Sequence, residues 1–222
     1  EIASCLVGSE MCIRDRRKLL SVVTQENVLC AVVYRAGKAV GYMLYSLTDG
    51  TFNLQELLTQ DAAAKNRLLQ YAAGHRSEAQ EFCWLAEPWD KTYLGFEDQA
   101  LTGRLQPFMM ARCLDARLAL AKLPVAESMS SGSVVVLLTD KMIERNNHLL
   151  QLRTSPGKLE AVSTLEQEEV TMDMGAFTQL YFGAFSASEL WEAGHIKCSD
   201  VRKLQLLDEL FPKCRTYNNE YF

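Results

Sequence analysis

Residues that commonly carry catalysis are spread along this 222-residue chain instead of standing in groups. Three histidines are present: His75, His148 and His195. Each stands next to polar or small residues, which favours a surface or capping role over that of a general base. The carboxylates Glu166, Glu168 and Glu169 form an acidic cluster without a second carboxylate set, so we interpret it as a solvated turn. We therefore expect no metal site.

Other polar and aromatic candidates also have structural explanations. Asp115 and Asp173 each precede a helical pattern, where an aspartate side chain typically caps the helix. The tryptophans Trp84, Trp89 and Trp191 are predicted to pack in a core or between domains, not to form a ligand cage. The chain lacks the short motifs of phosphate-binding loops, zinc proteases, serine hydrolases and dinucleotide-binding folds. Local motifs alone therefore indicate no reaction.

The most unusual chemical feature is the ending "TYNNEYF", residues 216–222. It places the α-carboxylate of Phe222 beside two aromatic side chains, its own and that of Tyr221, with Glu220 just before them. Chain ends are usually mobile and polar. An aromatic ending therefore raises the question of what those side chains contact.

The composition excludes several classes of function. A net charge of −5 and a pI near 5.3 give no basic surface for a nucleic-acid partner. No apolar run approaches the ~18 residues that a membrane span needs. The seven cysteines stand at irregular spacings with no CxxC pair, which argues against a disulfide framework or a zinc site. We therefore expect a protein of the reducing cytoplasm without a membrane span.

Hydrophobic patterning in the first half predicts an α/β unit. We expect three strands, a helix and a fourth strand: Val28–Arg35, Ala39–Leu47, 51–59, Ala62–Ala73 and 79–87. Turn residues stand at Ala36–Lys38 and at the pair Asp49 and Gly50. Asp61 is predicted to cap the helix, and Gly74 is predicted to end it.

The second half predicts an α+β layer in which helices gather on one face of an antiparallel sheet, because most strands precede the helices. The predicted strands are 107–114, 134–140, 148–154, 158–163 and 169–173. The predicted helices are Ala116–Leu123, Gly175–Phe182, Ala187–Ala193 and Asp200–Phe211. Asp173 and Ser199 are expected N-caps, and Gly183 and Gly194 are expected C-caps.

The order of several segments resembles one family, the Eis-like (enhanced intracellular survival) N-acetyltransferases. The matching stretches are "GKAVGYMLY", "LQELLTQDAAAKNRLLQYAAGH", "LQPFMMARCLDARLAL", "MDMGAFTQLYFGAFSASELWEAGHI" and "LLDELFP", followed by "NNEYF". Together they cover most of residues 28–222. "MMARCLDARLAL" is similar to the M-x-R-hydrophobic-x-D-x-x-x-A-L pattern at which the last domain of that family begins.

The resemblance implies a domain order. In that family two acetyltransferase-fold (GNAT) domains precede a domain like a sterol carrier protein. Residues 17–105 would be the second GNAT-like α/β domain, present only in part and without an acetyl-CoA site. Residues 106–222 would be the sterol-carrier-like α+β domain. Residues 6–16, "LVGSEMCIRDR", resemble a translated sequencing adapter, so we expect 1–16 to be an artefactual or disordered leader.

The resemblance also implies a role for the end of the chain. In that family the C-terminal carboxylate enters the active site of the first domain and takes a proton from the substrate amine. That role maps onto Phe222, with Tyr221 as an aromatic anchor and Glu220 as a negative charge that attracts the amine. An α-carboxyl has an ordinary pKa of about 3.5. Packing among aromatic rings would raise that pKa toward the working pH of a general base.

The same resemblance assigns the cofactor to another part of the protein. Family members bind acetyl-CoA in the first domain, through a loop of the form R/Q-x-x-G-x-G/A at a helix start. No such loop is found here, because "RAGKAVG" lies within a predicted hairpin and "GHRSEAQ" follows a helix. We therefore expect acetyl-CoA to bind a missing N-terminal domain, and this chain alone to be inactive.

Two main interpretations of function stay open from the sequence, beside a third in which the chain has an assembly role, since the family that it resembles forms homo-oligomers. The first is the C-terminal portion of an N-acetyltransferase for primary amines of aminoglycoside or lysine type, active as a homo-oligomer. The alternative is a non-enzymatic binding module for an apolar or lipid-like ligand. The apolar residues of "VVVLLTD" and "AFTQLYFGAF" would line a cavity in the second case and fill a core in the first.

Overall fold

A computed structural model describes residues 27–95, 101–105 and 110–215 of the chain. These residues divide into two units, of which the first ends at Asp90 and the second begins at Lys91. Each unit has a sheet and an apolar core of its own. None of the helices in the described part is long and apolar enough to cross a membrane.

Unit 1 is a four-stranded sheet in the order β1-β2-β3-β4 with one helix. Its elements are β1 (Leu29–Arg35), β2 (Lys38–Thr48), β3 (Thr51–Thr59), α1 (Ala62–Ala73) and β4 (Glu81–Trp84). The first three strands are antiparallel, and β4 runs parallel to β3, so α1 is the crossover between them. The predicted order of three strands, a helix and a strand is confirmed.

Two-residue turns close both hairpins of unit 1. Ala36 and Gly37 have φ values of 48° and 77°, and Asp49 and Gly50 have φ values of 50° and 74°. Left-handed conformations at both central residues are typical of the turn type that matches the twist of paired strands. The sheet then packs against α1 through a small core: Met43, Tyr45, Phe52, Leu54, Leu68 and Ala72.

Unit 2 is a five-stranded sheet in the order β7-β6-β5-β8-β9 with four helices among its described residues. Its strands are β5 (Gly132–Thr139), β6 (His148–Ser155), β7 (Lys158–Ser163), β8 (Val170–Asp173) and β9 (Ile196–Cys198). Its helices are α2 (Ala116–Ala121), α3 (Met174–Tyr181), α4 (Ala187–Glu192) and α5 (Val201–Leu210). The four helices lie within two residues of their predicted bounds.

The prediction of an antiparallel sheet is wrong for one pair of strands, because β8 runs parallel to β5. The end of β7 and the start of β8 both lie level with Val136 of β5. β7 and β8 lie on opposite sides of the pair β6 and β5, and they therefore run in the same direction.

Two further predictions for unit 2 are wrong. Residues 110–114, part of a predicted strand, form no strand. Side chains of unit 2 instead bind the backbone of two of these residues. Cys113 N–H donates to the hydroxyl of Thr178 at 3.1 Å, and the carbonyl of Leu114 accepts from Asn146 at 3.2 Å. The N-cap of α5 is Asp200 instead of Ser199. The strand β9, which has only three residues, was not predicted.

Candidate functional site

The predicted catalytic group, the α-carboxylate of Phe222, and its neighbours Glu220 and Tyr221 lie outside the described residues. Their roles therefore stay predictions. The structure does describe the segment that leads to them, up to Arg215.

That segment is fixed to unit 2 directly after α5. Phe211 is buried and packs edge-on against Phe177, with 6.2 Å between the ring centroids. Three residues later, the N–H of Cys214 donates to the carbonyl of Gly183 at 2.8 Å. The segment after α5 is therefore fixed, as far as Cys214, beside the turn between α3 and α4.

Gly183 is suited to this contact for two reasons. Its φ of 66° is left-handed, which glycine adopts without steric cost. A Cβ at this position would lie 2.8 Å from the N of Cys214, 2.9 Å from its Cβ and 2.9 Å from the carbonyl O of Pro212. Gly183 was predicted only as a helix C-cap; its contact with a distant segment has no local sequence signal.

A salt bridge holds the same segment from a second side. The Nζ of Lys213 donates to Oε1 of Glu189 at 2.6 Å. Glu189 is itself held in a capping box at the start of α4, where Ser186 N–H donates to Oε2 at 2.9 Å. The hydrogen bond from Lys213, followed by that from Ser186, lowers the pKa of Glu189. The carboxylate is therefore charged and oriented toward Lys213.

Arg112 and Asp115 of the "MMARCLDARLAL" stretch have structural roles. Asp115 accepts a hydrogen bond from Leu118 N–H at 2.9 Å, which confirms its predicted capping of α2. Arg112 donates to the carboxylate of Asp140, which follows β5 and is almost fully buried. Asn146 Nδ2 donates to the other oxygen of Asp140 at 2.9 Å. This network fastens the segment before α2 to the sheet of unit 2.

Hydrogen bonds from Asn146, then from the backbone N–H groups of Met142 and Ile143 and from Arg112, hold the pKa of Asp140 well below its usual range. Asp140 is therefore a charged group with several partners. We assign it to the framework of unit 2 and not to catalysis.

The start of α1 is the helix N-terminus that follows the sheet of unit 1, and such a terminus commonly binds phosphate. Here Asp61 already fills it. Its Oδ1 accepts from Ala64 N–H at 2.8 Å, and Arg35 donates to both carboxylate oxygens at 2.7 and 3.1 Å. The bond from Arg35, followed by that from Ala64, lowers the pKa of Asp61 to about 2. The predicted capping by Asp61 is confirmed.

The three histidines differ in their surroundings. His195 is exposed, and His148 is half-buried. His75 is half-buried against the rings of Tyr45, Phe52 and Tyr71, at centroid distances of 5.2–5.7 Å. The prediction of a simple surface or capping histidine is therefore wrong for His75, which packs on an aromatic cluster. No group of three or more potential metal ligands occurs in the described part of the chain.

Two tryptophans have described contacts. Trp84 packs against the core of unit 1, which confirms its predicted packing role, and Lys65 Nζ lies 5.2 Å from its ring centroid. Trp191 is exposed on α4, and its ring N–H donates to the carbonyl of Cys198 at 3.2 Å. Trp191 is therefore a surface residue of unit 2.

A small cavity lies in the core of unit 2, among the residues that the structure describes. Between the sheet and helices α3 and α5 lies a cavity of about 10 Å³. That is space for about one water molecule, whereas ligand pockets commonly measure about 300–1,000 Å³. Residues of both apolar stretches line it: Val136, Leu138, Phe177 and Leu180. These residues fill the core, which counts against the apolar-ligand alternative.

Comparison with protein-family models gives two matches. Residues 11–118 match an acetyltransferase (GNAT) domain, and residues 116–219 match a sterol carrier protein domain. The order of these domains is the predicted one. The acetyltransferase match begins inside the predicted leader, residues 1–16, so the adapter interpretation receives no support. No curated protein matches the chain.

Several solved structures share the fold. A GCN5-related N-acetyltransferase from Anabaena variabilis ATCC 29413 has a TM-score of 0.72 and 18% identity, over 90% of this chain and 52% of that one. A conserved protein of Enterococcus faecalis V583, described as a probable N-acyltransferase, has a TM-score of 0.69 and 24% identity, over 81% and 46%. Eis1 from Mycobacterium abscessus has a TM-score of 0.63 and 18% identity, over 93% and 54%. The chain spans about half the length of each.

A GNAT domain implies acetyl-CoA as its acetyl donor, and the start of α1 does not fit the pyrophosphate of that molecule. The carboxylate of Asp61 occupies the anion position, and it also neutralises Arg35, the cation beside it. No glycine stands between β3 and α1 to let a phosphate approach the backbone. We therefore assign no cofactor contact to this helix.

Proposed function

We propose that this chain, an acetyltransferase (GNAT) domain followed by a sterol carrier protein domain, forms the C-terminal portion of an acetyl-CoA-dependent N-acetyltransferase. The observation that carries the proposal is the order of the two matches, 11–118 and then 116–219. Solved structures of the same fold, described as N-acetyltransferases, are about twice as long as this chain. In this proposal acetyl-CoA binds a part of the whole protein that lies outside this chain.

The proposed acceptors are primary amines of aminoglycoside or lysine type. In this proposal the α-carboxylate of Phe222 takes a proton from the acceptor amine. The rings of Tyr221 and Phe222 would exclude water from the carboxylate and raise its pKa, which makes it a stronger base. Glu220 would attract the cationic amine. We further propose that the protein is cytoplasmic and forms a homo-oligomer. Sedimentation of the purified protein would test whether it is an oligomer.

The fixed segment after α5 supports a role for the chain end. Cys214 is bound to Gly183, and eight residues, 215–222, follow it. Eight extended residues span at most about 26–29 Å. The carboxylate of Phe222 therefore acts within that distance of Cys214, a limit that any active site assigned to it must satisfy.

Deletion of Phe222 from the whole protein tests the base directly. Because positioned general bases contribute about 10²- to 10⁴-fold, we expect kcat to fall by that factor. A tag added after Phe222 should act in the same way, and the same tag at the N-terminus is the control. The rate of acetyl transfer to each acceptor amine, of aminoglycoside or lysine type, is measured from the release of the CoA thiol. An unchanged rate after deletion would refute the base.

A further inference from the structure

We infer that a cluster in unit 2 positions the end of the chain for catalysis. This cluster, the tail clamp, consists of Gly183 and Glu189 on one side and Pro212, Lys213 and Cys214 on the other. The inference rests on the proposed function, since it concerns how Phe222 is held.

The first half of the tail clamp is a contact between two backbones. The carbonyl of Gly183 accepts from Cys214 N–H, and Gly183 Cα faces Pro212 and Cys214 so closely that a Cβ would lie 2.8–2.9 Å from their atoms. Backbone atoms cannot move aside as a flexible side chain can. Any residue larger than glycine would therefore displace the segment after α5.

The contact is built on a rigid part of unit 2. Gly183 follows α3, whose residues Phe177 and Leu180 are buried in the core. Gly183 N–H donates to the carbonyl of Leu180 at 3.0 Å, and Ala184 N–H donates to the carbonyl of Gln179 at 2.9 Å. These bonds close the end of the helix in the way that left-handed glycines commonly do. The tail clamp therefore has a fixed base.

The salt bridge between Lys213 and Glu189 restrains the segment in a second direction. Their side chains are 53% and 43% exposed, so the pair adds little to the stability of unit 2. Glu189 is nevertheless oriented by its capping box with Ser186. This salt bridge contributes little to the stability of the fold, but it can still restrain the backbone at Lys213 and Cys214.

Gly194 provides a matched control within the same unit. It follows α4 as Gly183 follows α3, and its φ of 79° is also left-handed. Nothing lies within 4 Å of the place where its Cβ would be. An alanine at either site has similar backbone strain, but only at Gly183 does it also meet atoms of Pro212 and Cys214 in the segment after α5.

The experiment compares Gly183→Ala and Gly194→Ala in the whole enzyme, with folding checked by circular dichroism. A small displacement of a reacting group can reduce a rate about 100-fold. We expect Gly183→Ala to lower kcat at least tenfold, with the KM for acetyl-CoA changed less than twofold. Gly194→Ala should retain its kcat. Equal kcat values for the two variants would overturn the inference.

Lys213→Met keeps the inference testable if Gly183→Ala fails to fold. This surface change should preserve the fold and lower kcat about threefold, again without a change in the KM for acetyl-CoA. A kcat equal to that of the unmodified enzyme would count against the tail clamp.

Deletion of Phe222 separates the two proposals. If the tail clamp acts through Phe222, adding Lys213→Met to the deletion variant should lower kcat no further, because the group it positions is gone. A further threefold loss would overturn the inference while the proposed base stands. A deletion that leaves kcat unchanged refutes the base itself, whatever the clamp variants do.

Discussion

Arg112 donates a hydrogen bond to Asp140 across 28 residues of sequence, and this bond joins the segment before α2 to the end of β5. The side chain of Asp140 is only 1% exposed. Asn146 connects the same carboxylate to the backbone of Leu114 and Ala116. Arg112 of the "MMARCLDARLAL" stretch therefore has a physical role: it neutralises a buried charge and orders the segment before α2.

Asp140 should make the stability of unit 2 depend on pH. Its pKa in the folded chain lies below the ordinary value of about 3.9 for an unfolded aspartate. Its contribution is therefore fully present above that value and is lost as the pH falls below it toward the folded pKa. We expect the free energy of unfolding to decrease below about pH 4, measured by urea titration with circular dichroism.

Asp140→Asn should lower stability at pH 7 and flatten the decrease in acid, because the titrating group is removed. Asp200→Asn is the control: this carboxylate also has a lowered pKa, but its partner Arg202 is highly exposed. Asp200→Asn should therefore lower the free energy of unfolding less than Asp140→Asn does. Parallel pH curves for Asp140→Asn and the unmodified chain would contradict the prediction.

Gly41 of the "GKAVGYMLY" stretch is required by the packing of neighbouring strands. A Cβ there would lie 2.9 Å from Cγ2 of Thr59 and 3.0 Å from the carbonyl of Leu58. We expect Gly41→Ala to destabilise unit 1 by about 1–3 kcal/mol, because β2 and β3 would have to separate. Chemical denaturation measures the difference.

Gly74→Ala is the matched control for Gly41→Ala. Gly74 has an ordinary φ of −64° and nothing within 4 Å of its missing Cβ. That substitution should be neutral or stabilise by up to about 1 kcal/mol. An equal loss of stability in both variants would show that glycine itself, and not the strand contact, is responsible.

Local signals explain what the sequence could predict. Asp49 and Gly50 favour a two-residue turn, and Asp61, Asp115 and Asp173 precede helices that they do cap. These features depend on residues within a few positions of one another. Hairpins and helices were therefore predicted close to their observed bounds.

Long-range pairing explains what the sequence could not predict. The parallel pair β5 and β8, the buried bond between Arg112 and Asp140, and the contact between Gly183 and Cys214 each join distant segments. No local pattern marks such partners. The tail clamp, like the buried charge network, becomes visible only in the folded chain.

Fatty acids should not bind unit 2 saturably, because the cavity in the described part of its core measures only about 10 Å³. A fluorescent fatty acid titrated into the chain measures this. Saturable binding by the unmodified chain would restore the binding-module alternative.

Leu207→Ala, at a fully buried residue of α5 that lines the cavity, should destabilise the unit by about 2.7–5 kcal/mol. Val201→Ala, at an exposed residue of the same helix, should have little effect on the free energy of unfolding.

The carboxylate of Asp61 should exclude phosphate from the start of α1. Asp61→Ala leaves the N–H of Ala64 without its side-chain acceptor and Arg35 without its ion pair, so an anion can replace the carboxylate. We expect phosphate to raise the Tm of Asp61→Ala more than chloride of equal ionic strength does, because a ligand of the folded state stabilises it. The unmodified chain should show no such difference.

In Asp61→Ala combined with Arg35→Met the effect of phosphate on the Tm should be smaller, since the cation is also removed. A phosphate or CoA effect on the unmodified chain as large as that on Asp61→Ala would show that the carboxylate does not block the site.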